Sequence, residues 1–101
     1  MSNPFFESNI LSTDLLFVES EYLVFERVEK PSNHNSKTDK FIVLARRDKF
    51  PLGLIYWHGS WRQYCFFPHS DTVFSSGCLD DISAFVLKVN KHHVLKKLLV
   101  K

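Results

Sequence analysis

Between residues 22 and 67 short apolar and aromatic runs are separated by polar or turn-forming residues, each run read with successive side chains sent to opposite faces of a strand. From Tyr22 to Glu29, Leu23 and Phe25 alternate with Tyr22, Val24, Glu26 and Val28, a β-branched and aromatic composition that predicts a strand ending at Lys30-Pro31. The polar run Ser32-Asn33-His34-Asn35-Ser36-Lys37-Thr38-Asp39 predicts a surface loop. A second strand is expected from Phe41 to Arg46. Ile42 and Leu44 there oppose Phe41, Val43 and Ala45, and apolar residues on both faces place it inside a sheet. Arg46-Arg47-Asp48-Lys49 breaks it, and Phe50-Pro51 leads into a third strand from Leu52 to Trp57.

His58-Gly59-Ser60 is the sharpest turn signal. With positive φ open to Gly59, it predicts an antiparallel hairpin with a strand from Trp61 to Phe67. A three-residue loop pairs Tyr56 with Arg62, Leu54 with Tyr64, Leu52 with Phe66 and Trp57 with Trp61. A two-residue loop sets Ile55 against Arg62 and Gly53 against Tyr64, so apolar matching favours the former. On that register Leu52, Leu54, Tyr64 and Phe66 are buried, while Trp57, Trp61 and Gln63 lie on the opposite face.

After Pro68, Thr72-Val73-Phe74 predicts a short edge strand, and Ser75-Ser76 offer hydroxyls to cap a helix. Asp80 and Asp81 are expected in its first turn, where negative charge suits the helix dipole. Leu79, Ile82, Phe85, Val86 and Val89 recur at three- and four-residue spacing, one stripe to lie across the sheet. Beyond Asn90 the lysine-rich segment either continues the helix or forms a short final element. Residues 13–20 are too short to separate a helical turn from a strand. Residues 1–12, with Pro4 and several Asn and Ser around Phe5-Phe6, read as a loosely held arm. The expectation is a single α+β domain over 1–101: an antiparallel sheet of about four or five strands with the C-terminal helix packed on one face.

A chain of 101 residues has room for one core. At 45% hydrophobic and 24% charged it fits neither a disordered nor a membrane class. No apolar run approaches the roughly 20 residues of a membrane span. The N-terminus lacks a basic start followed by an apolar segment, so no secretory signal is expected and the expected location is cytoplasmic. Cys65 and Cys78 then read as reduced, buried thiols. Charge is uneven: two basic against six acidic side chains in 1–31, eleven against five from 32 onward. That leaves either internal complementarity or a basic face for an anionic partner.

Ten Phe, three Tyr and two Trp leave rings for recognition as well as for the core. Trp57, Trp61, Arg62 and Gln63 are the candidate partner-contact residues, because Trp, Tyr and Arg are the usual interface anchors. The competing reading is that both Trp residues close a small core beneath the N-terminal arm. Arg46, Arg47, Lys49 and Arg62 form a nucleic-acid alternative, cations beside rings being suited to a single strand. Cys65, His69, Cys78 and His92 or His93 are competent zinc ligands, but no Cys-x-x-Cys knuckle gathers them, and neither a metal nor a cofactor is expected. Cys65 with His58 or His69 would be a nucleophile and base, and Cys78 starts a helix. Yet there is no phosphate loop or nucleophile elbow, only three Gly occur, and the adjacent Asp80 and Asp81 point apart. A small hydrolase or metal enzyme is therefore the third reading, behind a non-catalytic binding module and a nucleic-acid binder.

The run Leu52-Gly53-Leu54-Ile55-Tyr56-Trp57-His58-Gly59-Ser60-Trp61-Arg62-Gln63-Tyr64-Cys65-Phe66-Phe67-Pro68, followed by Thr72-Val73-Phe74 and Cys78-Leu79-Asp80-Asp81-Ile82-Ser83-Ala84-Phe85, resembles a group of small uncharacterised bacteriophage, prophage and bacterial proteins. In that group a Leu-Gly-x-Ile strand leads to Trp-x-Gly-x-Trp-Arg-Gln-Tyr-x-Phe-Phe-Pro, then Thr-Val-Phe, then Cys-Leu-x-Asp-Ile-x-x-Phe. The resemblance spans Leu52 to Asn90 and leaves residues 1–50 outside it. It implies a sheet with a C-terminal helix, a mobile-element origin and no catalytic residues to carry over; for a phage-encoded chain the expected location is the host cytoplasm and the expected partner a host or phage protein.

Overall fold

The computed structural model describes residues 17–29 and 38–100, apart from the side chains of Phe17, Lys96, Lys97, Leu99 and Val100. The expected arm at 1–12 and most of the polar loop at 32–39 lie outside the described residues. Five strands, β1 (Phe17–Glu19), β2 (Leu23–Arg27), β3 (Lys40–Ala45), β4 (Pro51–His58) and β5 (Gln63–Pro68), precede one helix, α1 (Ser76–Val100). The strands form an antiparallel meander in the order β1-β2-β3-β4-β5. The chain is thus an α+β fold, with β3 interior to the sheet as its two apolar faces require.

Alternation decides what faces the helix. Leu23 and Phe25 of β2, Phe41 and Val43 of β3, Ile55 of β4 and Tyr64 of β5 are buried in one cluster with Ile82, Phe85 and Val89 of α1. Phe85 is its centre: it stacks on Phe25 at 4.4 Å and meets Phe41 edge-on at 5.1 Å. Each such fully buried side chain contributes roughly 1.5 to 3 kcal/mol. On the other face Val24 is also fully buried.

The β4–β5 hairpin departs from the expected register. Its loop has four residues, Gly59 to Arg62, and pairs His58 with Gln63, Trp57 with Tyr64, Tyr56 with Cys65 and Ile55 with Phe66. The Arg62 N–H donates to the His58 carbonyl at 2.8 Å, and the left-handed residue is Arg62 (φ 55°), not Gly59. The shift is odd, so β4 is turned over relative to β5. Gly53, Ile55 and Trp57 join Tyr64 and Phe66 beneath the helix, while Leu54, Tyr56 and His58 share the opposite face with Cys65 and Phe67. Gly53 suits this register: a Cβ there would lie 2.6 Å from the Phe67 carbonyl oxygen and 2.7 Å from the Phe66 ring. A bulge between Val43 and Leu44 sets Leu44 against Pro51, which lets Leu52 lean on the core beside Gly53.

Thr72-Val73-Phe74 is not a strand. Asp71 is left-handed (φ 62°), Thr72 Oγ1 donates to the His69 carbonyl at 2.7 Å, and Phe74 meets Phe66 edge-on at 5.4 Å. The segment therefore turns over the core instead of pairing. Ser75 caps α1, accepting from the Cys78 N–H at 3.2 Å. No acidic residue occupies the first turn, so Asp80 and Asp81 lie deeper than expected. Leu79 is exposed, and the partly buried Cys78 stands in its place at the core.

The helix runs on through Asn90 for a reason found on β5. The Asn90 side chain accepts from the Tyr64 N–H at 2.7 Å and lies 3.4 Å from the Tyr64 carbonyl as a donor. It occupies the two Tyr64 backbone groups that a sixth strand would pair with.

Candidate functional site

The flipped register gathers rings on the face away from α1. Tyr56 stacks on Phe67 at 4.0 Å with planes 10° apart. His58 is parallel to Phe67 at 6.0 Å and stacks on Trp61 at 4.6 Å. Lys40 pairs across β3 with Tyr56, and its ammonium stands 5.2 Å over that ring. The result is a run of one cation and four near-parallel rings, each ring contact worth roughly 0.5–1.5 kcal/mol and the cation–π contact about 0.5–1 kcal/mol.

Trp61 ends the run. Its backbone N–H donates to His58 Nδ1 at 3.3 Å, which ties the turn to the ring beneath the indole. It is 65% exposed, and Arg62 and Gln63 beside it are exposed as well. An aromatic held from below spares a partner part of the ordering cost, about 0.5–1.5 kcal/mol per side chain.

Trp57 does not share this surface. It lies on the helix side, half-buried, edge-on to Tyr64 at 5.6 Å and 4.7 Å from His93. Of the four expected partner-contact residues the structure brings together Trp61, Arg62 and Gln63. The hydroxyl of the buried Tyr64 accepts from the Asp39 N–H at 2.9 Å, and burial pushes its pKa above the ordinary phenol value.

The nucleic-acid set is divided. Arg46, Arg47 and Lys49 lie in the β3–β4 turn, where Arg46 pairs with Glu19 at 3.7 Å and donates to the Ser20 carbonyl at 3.1 Å. Arg62 lies beyond the other end of β4, a strand of eight residues and hence about 26 Å long. Cys65 Sγ contacts the Gln63 carbonyl at 3.9 Å. Among the described residues no three His, Cys, Asp or Glu side chains gather to hold a metal. Nor, among them, is any helix long and apolar enough to cross a membrane.

Sequence reasoning did not join Lys40, Tyr56, His58 and Phe67 into one run of contacts. The signal was present in the alternation of Tyr56 and His58, but only a four-residue loop sets them on the face of Phe67.

No family model and no solved structure matches the chain. An uncharacterized 9.3 kDa protein of Acholeplasma phage L2 is 34% identical over 67 residues, covering 66% of this chain and 82% of the phage protein.

Proposed function

The chain belongs to the family of that phage protein, and from this premise we propose that it is a small non-catalytic binding module, acting in a host cytoplasm, that docks on another protein through Trp61, Arg62 and Gln63. The observation that carries the reading is the exposed Trp61 indole, seated on His58 at the end of the ring run. Trp and Arg are among the residue types most enriched where interfaces concentrate their energy. On this reading the Trp-x-Gly-x-Trp-Arg-Gln-Tyr run splits its tasks: Trp57 and Tyr64 serve the core, and the turn between them serves recognition.

Protein is favoured over single-stranded nucleic acid by two features. A stacking platform offers each base an open ring face, whereas Tyr56, Phe67 and His58 spend their faces on one another. The basic turn at Arg46, Arg47 and Lys49 is also remote from Arg62.

Affinity capture from host lysate with the wild type and with Trp61→Ala and Arg62→Ala variants tests the reading. The expected result is a partner retained by the wild type and lost from both folded variants. Identical partner sets would refute it, and salt-sensitive recovery of nucleic acid alone would replace it with the second class.

A further inference from the structure

The side of α1 turned away from the sheet changes character along its length. Ser76, Asp80 and Ser83 occupy its first half. Leu87, Lys91, Val94 and Leu98 continue the same side at steps of four, three and four residues, the spacing that keeps side chains on one face. Leu87, Val94 and Leu98 are 63%, 55% and 62% exposed. Leu87, Asn90, Lys91, Val94 and Leu95 line an open groove. This lies opposite Ile82, Phe85 and Val89, which pack on the sheet. A helix apolar on two opposite sides is ordinarily covered on both.

Charge narrows what covers it. Lys91 lies in the groove, Lys96, Lys97 and Lys101 follow in the sequence, and no Asp or Glu occurs after Asp81. We propose that this groove docks an acidic amphipathic helix of a partner protein, with apolar side chains against Leu87, Val94 and Leu98 and carboxylates facing Lys91, favoured by the net positive charge of the sequence after Asp81. Helix-in-groove recognition supplies the geometry. A second copy of this chain would set two segments of like charge together, which opposes pairing. A lipid surface is disfavoured because the exposed stripe carries no Trp or Phe to seat at the interface. This surface is separate from the Trp61 turn and stands independently of it.

The test is calorimetric titration of the full chain with a synthetic three-heptad Leu/Glu helical peptide, and with its Leu/Lys counterpart as the opposite charge. The expected result is binding of the Glu peptide that weakens as salt is added. It should weaken at least about tenfold in a Val94→Gln/Leu98→Gln variant whose helix content is unchanged. Ser83→Gln, on the polar half of the same side, should bind like wild type. The proposal is overturned if the Glu peptide gives no binding at low salt, if the Leu/Lys peptide binds equally, or if the double variant binds undiminished. It is also overturned if sedimentation equilibrium shows a dimer, or flotation shows adsorption to phosphatidylserine vesicles, that the double variant abolishes.

Discussion

Tyr64 joins the core, the sheet edge and the chain before β3. Its ring is buried between Phe41 and Trp57, its hydroxyl holds the Asp39 N–H, and its backbone is held by Asn90. Burial raises the phenol pKa above 10.0, outweighing the Asp39 hydrogen bond that favours the phenolate. The folded state therefore holds the proton more tightly than the unfolded chain. The associated stability is fully present below pH 10 and is lost as pH rises through the folded value. Urea melts of Tyr64→Phe and wild type are expected to differ most near neutrality and to converge above pH 10. A gap that stays constant across that range would contradict the assignment.

At the scale of elements, the open edge of β5 is where a single side chain replaces a strand. Asn90 satisfies Tyr64, and Pro68 has no N–H to offer. Asn90→Ala leaves the Tyr64 N–H without its acceptor, which should cost about 1–3 kcal/mol and make light scattering rise with concentration. An unchanged urea midpoint with no association would show that the edge needs no such cover. The same residue shows where pattern reading stops. A polar residue between Val89 and Lys91 reads equally as a helix end or a helix interior, and only the position of Tyr64 decides. By contrast β2 and β3 were legible as strands, each a β-branched and aromatic run bounded by charged or turn-forming residues, and so was the apolar face of α1, where Ile82, Phe85 and Val89 share one side. The β4–β5 register was not, since Leu52, Leu54, Ile55, Tyr56 and Trp57 make both faces of β4 apolar. Pairing rules alone then choose the neater match, while steric facts such as the Phe66 ring over Gly53 choose the real one.

Taken whole, the molecule measures 40 × 32 × 26 Å, and the long dimension matches a helix of 25 residues at about 1.5 Å per residue. One side of the sheet is committed to that helix. The other carries the ring run, which reaches the surface at Trp61, and the helix has a second apolar side of its own. The basic excess seen in the sequence from residue 32 onward is therefore dispersed over the β3–β4 turn, the β4–β5 turn and the end of α1. Among the described residues the Arg46, Arg47 and Lys49 turn and Arg62 are separated by the length of β4, which supports the proposal that docking uses the Trp61 turn rather than a charged face.

That conclusion depends on which side of the sheet Trp57 and Trp61 occupy. Interstrand Hα–Hα contacts in a nuclear Overhauser spectrum report it directly, because they are strongest between residues of a non-hydrogen-bonded antiparallel pair. The four-residue loop predicts a strong Trp57–Tyr64 Hα contact, those two residues being partners with the Tyr64 backbone turned to Asn90. A Leu54–Tyr64 contact in its place would restore the three-residue loop, return Trp57 to the face away from α1 and dissolve the ring run beneath Trp61.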